Sequence, residues 1–428
     1  MLSVALCLST SACSSVGLSV DNMMHPPKAT GDKAQIQSLI DSVAGEGYSL
    51  KYPQSGSYRS AITIKDIDSD NTDEAVAFYL PAGDIATVHM LLMDNIDGQW
   101  QSVGDFKSTN TAVQSLEFCD LDGNGILEIA TNWKTYNPSV NQLSVHIYDE
   151  NKLRELSTEY NCSNLLTGDF TDEPGEELML LSLFSTDKEA SASLIDINDN
   201  KSDLELKGTT AMDPDVVSYT QLLSGNIFEN QYGVVVDGCT SKGSYNTQIL
   251  YFNTYFNSLE RISFTENAPY NQALRSDNVV SKDINGDSVI EVPATFRFNI
   301  EEDRNDVVAT AEIYWCQQTE DGMVLLIEHQ AASFAYGFTF NIPQSWEGLF
   351  TAHTDFNKNE VTFYKWNKDK TGDALMTIKI SDKDTFSETE GFSALAESEN
   401  RVYTYRIFNP DDNLAVSDSE VKDSFELM

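Results

Sequence analysis

Residues 64–79 read IKDIDSDNTDEAVAFY. An apolar run ending at Ile64 enters a loop with acids at alternate positions, Asp66, Asp68 and Asp70, and Glu74 opens a second apolar run, AVAFY. Two short β-rich runs bounding a polar, turn-forming segment predict a strand, a tight loop and a second strand. The same grammar returns as FCDLDGNGILEIATNW from Phe118, TGDFTDEPGEELMLLS from Thr167 and SKDINGDSVIEVPATF from Ser281, with a degraded copy, SGNIFENQYGVVVDG, from Ser224. The first loop positions are Asp66, Asp120, Asp169, Asn226 and Asp283, spaced by 54, 49, 57 and 57 residues. That period belongs to a repeat architecture in which each unit is one small sheet.

Between the loops a second pattern recurs: HMLLMDNIDGQWQSV, QLSVHIYDENKLREL, ASLIDINDNKSDLEL, QILYFNTYFNSLERI and AEIYWCQQTEDGMVLLIE each read strand, polar turn, strand. Four strands per unit is the content of a propeller blade. The expected fold is therefore mainly β, a β-propeller of about five four-stranded blades over residues 51–330, followed by a small α+β domain over 331–428. A single unit cannot bury both faces of its sheet, so Ile64, Phe118, Leu166, Leu223 and Val280 on the inner strands are expected between blades. An open solenoid or two sandwiches is the rival arrangement.

Alternate oxygen-bearing residues on a tight loop point at one centre, the arrangement a hard cation such as calcium takes with six to eight oxygens. In the first loop the candidate ligands are Asp66, Asp68, Asp70 and Glu74, with the carbonyl of Thr72. The second loop offers Asp120, Asp122, Asn124 and Glu128, with the carbonyl of Ile126 and Gly125 relieving the turn. The fifth offers Asp283, Asn285, Asp287 and Glu291, with the carbonyl of Val289. The third loop departs from the pattern at Thr171, Glu173 and Pro174, and the fourth, with Phe228 and Val234, is expected to bind nothing. A reading without metal stays open, in which Asp and Asn form Asx-turns.

These units resemble FG-GAP or VCBS repeats, the integrin-type propeller family, and LKYPQSGSYRSAITIKDID from Leu50 resembles the opening of propeller lipoproteins of Gram-positive anaerobes. The resemblance implies a surface protein with calcium-type loops and no established activity. Beyond Gln330, AYGFTFNIPQSWEGLF resembles the opening hairpin of a PsbP-like α+β domain through Phe338, Phe340, Pro343 and Trp346, with SDSEVKDSFEL as a closing helix.

The first twelve residues, MLSVALCLSTSA, form an apolar run ending in small residues directly before Cys13. This resembles the lipobox of bacterial lipoproteins, which implies a signal peptide over 1–12, acylation of Cys13 and a Ser- and Pro-bearing tether over 13–32; a buried N-terminal strand is the alternative. Residues 33–50 are expected to hold a helix capped by Asp32, with Ile36, Leu39, Ile40 and Val43 on one face and Gly45 ending it. The chain has 67 acidic and 27 basic residues, a net charge of −40. Such a surface repels phosphate backbones and suits cations, so nucleic acid is excluded as a partner.

Cys119, Cys162, Cys239 and Cys316 fall singly in strand-like segments and are expected as free thiols. The five histidines are scattered, and no HExxH, GxSxG or phosphate-binding loop occurs. The expected function is a lipid-anchored, non-catalytic binding or scaffold module on the extracytoplasmic face of the membrane, its partner an extracellular protein or a glycan. The alternative is a carbohydrate-active enzyme using blade carboxylates. Trp100, Trp133 and Trp315 are candidates for sugar stacking, with blade core as the other reading.

Overall fold

The computed structural model describes residues 31–428, apart from 85–86, 137–139, 150–151, 157–158, 199, 201, 229, 263–273, 300–309 and 320–322. The expected signal peptide, the tether and Cys13 lie outside the described residues.

The alternating apolar runs become antiparallel sheets arranged as successive blades of a β-propeller. In the first blade Ile62–Lys65, Glu74–Leu80, His89–Ile96 and Gln99–Lys107 pair in sequence order, and Ser49–Lys51 adds a short strand beside Glu74–Leu80. The second blade is Ala112–Cys119, Glu128–Lys134, Asn141–Asp149 and Lys152–Glu155, the third Asn164–Gly168, Glu177–Ser182, Ser191–Ile197 and Leu204–Ala211. The fourth is Val216–Phe228, Gln231–Thr240, Tyr245–Asn253 and Ser258–Ile262.

In the fifth blade the innermost strand shrinks to the bridge between Lys282 and Glu291. Outward from it run Val292–Arg297, Ala311–Gln318, Val324–Ser333 and Phe338–Asn341, and the chain's closing strand Phe425–Leu427 pairs with the last of these. One strand of this sheet therefore crosses residue 330, and the end of the expected closing helix is a β-strand; only Asp418–Ser424 is helical, held by a capping box between Ser417 and Glu420. A sixth antiparallel sheet, of Phe350–Asp355, Glu360–Asn367, Lys370–Asp382, Arg401–Ile407 and Ser393–Glu397, packs onto the fifth. Phe338, Phe340, Trp346, Phe363 and Tyr405 lie in their shared core, and the Trp346 indole N–H is satisfied by the Leu414 carbonyl at 2.7 Å.

Apolar clusters lie between consecutive blades. Val76, Phe78, Ile129 and Trp133 join the first to the second, Ala130, Val145, Leu178 and Ile195 the second to the third, and Met179, Leu194, Val234 and Leu250 the third to the fourth. Of the expected inner-strand residues Phe118 is buried, but Ile64 is 41% exposed, and Ile67 inside the loop takes the buried place. The loops themselves are stitched to one another. Leu127 N–H donates to the Ile67 carbonyl at 2.8 Å, Glu176 N–H to that of Asp120 at 2.7 Å, and Ile290 N–H to that of Asn226 at 2.9 Å. Each donor is the eighth residue of its loop, so the repeat spacing also sets the inter-blade hydrogen bond.

The helix Asp32–Ala44 docks on the first blade, burying Ile36 and Ile40 against Ala75, Tyr79, Leu91 and Trp100. Each such burial stabilises by roughly 1.5–3 kcal/mol. Gly31, not Asp32, is the N-cap residue, and no side chain caps the helix. At the other end Gly45, at φ +77°, returns its N–H to the Asp41 carbonyl.

Candidate metal centre

The expected ligands of the first, second and fifth loops occupy equivalent positions, and Asx-turns shape each loop. Position one accepts from the amide of position six: Asp66 from Asn71 at 3.2 Å, Asp120 from Gly125 at 2.8 Å, Asp283 from Ser288 at 2.9 Å. Asp68, Asp122 and Asn285 each accept from the amide two residues on, at 2.9–3.2 Å. Asp70, Asn124 and Asp287 do the same for Thr72, Ile126 and Val289, at 2.6–2.8 Å. Positions four and six take left-handed backbone, as Ser69 and Asn71, Gly123 and Gly125, Gly286 and Ser288. The third loop lacks this pair, and Gly175 at φ +113° lets it approach the second; a Cβ there would lie 2.6 Å from the Leu121 carbonyl oxygen. The fourth copy is a tight hairpin whose strands pair as far as Phe228 with Gln231.

The ninth residue plays one part in four loops. A carboxylate oxygen of Glu74, Glu128, Glu177 and Glu291 accepts the amide of loop position two, from Ile67 at 2.7 Å and from Leu121, Phe170 and Ile284 at 2.8 Å each. Their second oxygens differ. Thr171 donates its hydroxyl to Glu177, and Gln317 donates to Glu291 at 2.6 Å. The second oxygen of Glu74 is buried and has no hydrogen-bond partner among the described residues, nor has one oxygen of Asp66. A buried anionic oxygen without a donor costs several kcal/mol unless a proton or a cation meets it. Burial accordingly pushes the Glu74 carboxyl up to about 8, against the pull of the Ile67 amide.

Among the described residues three groups of carboxylates could hold a metal ion: Asp66 with Asp68 and Asp70; Asp68 with Glu74 and Asp94; Asp120 with Asp122 and Glu128. In each, one oxygen per residue lies within 4.8 Å of the others. Asp94 was not among the sequence candidates. It lies on the third strand of the first blade, one residue beyond the registered pair Ala75–Met93, and so opposite Glu74. It is 5% exposed and accepts the hydroxyl of Tyr148 from the second blade. The only sequence signal was an acid inside an otherwise apolar strand, HMLLMDNI. In the fifth loop the Gln317 amide reaches both Asp287 and Glu291, at 2.8 and 2.6 Å, and fills the gap between them. The donor set in the first blade, all hard carboxylate oxygens with an orphaned one among them, suits a hard cation.

The aromatic candidates are core residues. Trp133 donates to Ser144 at 2.7 Å and Trp315 to Gln330 at 2.9 Å, both indoles sealed from water. Trp100 packs under the N-terminal helix. The four described cysteines are free. Between the first strands of the second, third and fourth blades and residues 55–57 lies a cavity of about 560 Å³, lined by Ser57, Glu117, Thr167, Tyr219 and Gln221 among others. Among the described residues Glu117 is the one carboxyl in that lining, and burial raises it to about 7.

No protein-family model and no curated protein matches the chain. Among solved structures, a periplasmic gluconolactonase of Pseudomonas aeruginosa, PpgL, aligns at 11% identity and a TM-score of 0.33, covering 77% of this chain and 88% of the other. Sqt1 of Saccharomyces cerevisiae aligns at 11% identity and a TM-score of 0.34, covering 81% of this chain and 95% of its own. Likeness at this level adds nothing to a functional reading.

Proposed function

We propose that the protein is a non-catalytic binding module, a lipoprotein tethered through an acylated Cys13 to the extracytoplasmic face of the membrane, whose first and second blades bind calcium. The observation that supports it most is the buried, unpartnered oxygen of Glu74 facing Asp68 and Asp94. The repeat grammar, similar to that of FG-GAP and VCBS propellers, points the same way, as does the charge of −40. A surface so acidic selects against phosphate backbones and favours cations, proteins or uncharged glycans.

The catalytic reading, a glycosidase or lyase built on blade acids, calls for two carboxyls flanking one bond. In the cavity between the second, third and fourth blades Glu117 is the carboxyl among the described lining residues, so that reading would need a second acid from outside it. Calorimetric titration of the full chain with calcium tests the metal reading. Binding that is lost at one site in Glu74→Gln supports it; a wild-type protein giving no heat with millimolar calcium overturns it.

A further inference from the structure

The blades share one register, so residues at one position compare directly. Opposite the ninth loop residue stand Asp94 in the first blade, Ile147 in the second, Asp196 in the third and Gln317 in the fifth, each placed by the neighbouring pair: Ala75–Met93, Ile129–His146, Leu178–Ile195 and Val292–Cys316. Only the first and third blades put an acid there.

The next strand over carries a β-bulge in both. In the first blade the register passes from Leu92–Gly104 to Met93–Ser102, leaving Val103 as the extra residue. In the third it passes from Leu194–Gly208 to Ile195–Leu206, and the extra residue is Lys207. The Lys207 ammonium lies 2.6 Å from Glu173, the fifth residue of the third loop, 3.2 Å from Glu205 and 3.4 Å from Asp196. In the first blade, among the described residues, no lysine, arginine or histidine is paired with Asp66, Asp68, Asp70, Glu74 or Asp94. Two blades thus share an acidic frame, and one of them supplies its own cation.

We propose that Lys207 is the built-in cation of the third blade, its ammonium taking the place that a divalent ion takes in the first, where Asp94 joins the loop as a ligand from outside it. The inference rests on the reading that the first blade binds calcium, and it adds which blades do so and why. An ammonium on a side chain saves the entropy of capturing an ion, needs no supply of metal and fixes the third blade whatever the calcium concentration. Its geometry is looser than that of an ion with a complete oxygen shell, consistent with the poorer loop at Thr171 and Pro174.

The test is the number of calcium ions bound by the full chain after chelator treatment, counted by equilibrium dialysis with calcium alone. Lys207→Met exposes an acidic frame without its cation, so it is expected to bind one equivalent more than wild type, whereas Lys207→Arg gains none. Adding Asp196→Asn to Lys207→Met removes the extra equivalent. In the first blade Asp94→Asn is expected to weaken one wild-type site by about tenfold or more. Folding of each variant is checked by circular dichroism, and Lys207→Gln replaces Lys207→Met should the latter not fold. A folded Lys207→Met or Lys207→Gln variant with the wild-type count overturns the proposal, as does unchanged calcium affinity in Asp94→Asn. A wild type that binds no calcium, with a Lys207 variant that binds one, instead defeats the reading of the first blade and leaves Lys207 as the cation of the third.

Discussion

Arg275 donates to Asp237 at 2.8 Å, with both side chains sealed from water. Asp237 also accepts the Ser281 amide at 2.7 Å, while Arg275 reaches the Val279 carbonyl at 2.8 Å, so the pair fastens the fourth blade to the chain entering the fifth. Removing one partner strands a buried charge. Arg275→Met is expected to cost about 3–5 kcal/mol in denaturant unfolding, and Asp237→Asn within that variant to recover part of it. Equal stability of the single variant and wild type would show that the pair is dispensable.

His146 is buried against Phe106, with 4.4 Å between the rings, and neither ring nitrogen has a hydrogen-bond partner among the described residues. Desolvation holds its pKa down at about 4 against an ordinary value of 6.5. The unfolded chain therefore binds a proton that the folded one refuses. Stability from this group is fully present above pH 6.5 and is lost as pH falls from 6.5 towards 4, by up to about 3 kcal/mol. Unfolding curves across that window measure it, and His146→Phe is expected to flatten the loss.

Ser288 sits at φ +70°, where the second loop has Gly125 at φ +87°. A left-handed residue with a Cβ is strained by roughly 1–2 kcal/mol, partly offset by the greater freedom glycine gives the unfolded chain. Ser288→Gly should thus raise the melting temperature slightly. Ser69, at φ +61°, donates its hydroxyl to the Gly125 carbonyl, so Ser69→Gly relieves strain but loses the tie between the first two loops and is expected to gain less.

The blades were legible because the loop is local: nine residues carry the first Asp, the turn and the closing Glu. What escaped was set by pairing across a sheet. Asp94 stands 20 residues from Glu74, and nothing in HMLLMDNI says which strand register will bring the two together. Lys207 owes its place to a bulge, a shift of one residue that composition does not reveal. Gln317, which answers Glu291 in the fifth blade, had no motif at all. Ile64 was expected inside because it belongs to an apolar run, yet a strand of four residues at the edge of a sheet has one face open. The final strand Phe425–Leu427 pairs with Phe338–Phe340, far back along the chain, a contact that local pattern cannot report.

The anchoring reading is tested on the mature protein. An apolar run and small residues directly before Cys13 predict cleavage at that residue and a diacylglycerol on its thiol. Mass spectrometry of the N-terminal peptide is expected to start at Cys13 with the acyl mass, and Cys13→Ala to leave the protein unprocessed. A native N-terminus at Met1 would remove the anchor.

Calcium that binds only the folded state adds RT ln(1 + [Ca]/Kd) per site, about 1.4 kcal/mol at a free concentration tenfold above Kd. Such a gain is large enough to shift the melting temperature by degrees even in a large domain. The first and second loops, which gather Asp66, Asp68 and Asp70 and Asp120, Asp122 and Glu128, are where it should arise. Replacing Asp120 and Asp122 by Asn is expected to remove part of the rise seen between chelator and several millimolar calcium. Glu74→Gln is expected to raise stability in chelator, because a neutral amide replaces a buried oxygen without a donor, and to shrink the calcium response. Changes at Asn226 and Asn230, in the degraded fourth copy with Phe228 and Val234 at the ligand positions, should leave the response intact. A melting temperature unmoved by calcium in the wild type would reduce the loops to Asx-turns that shape the blades and hold no ion.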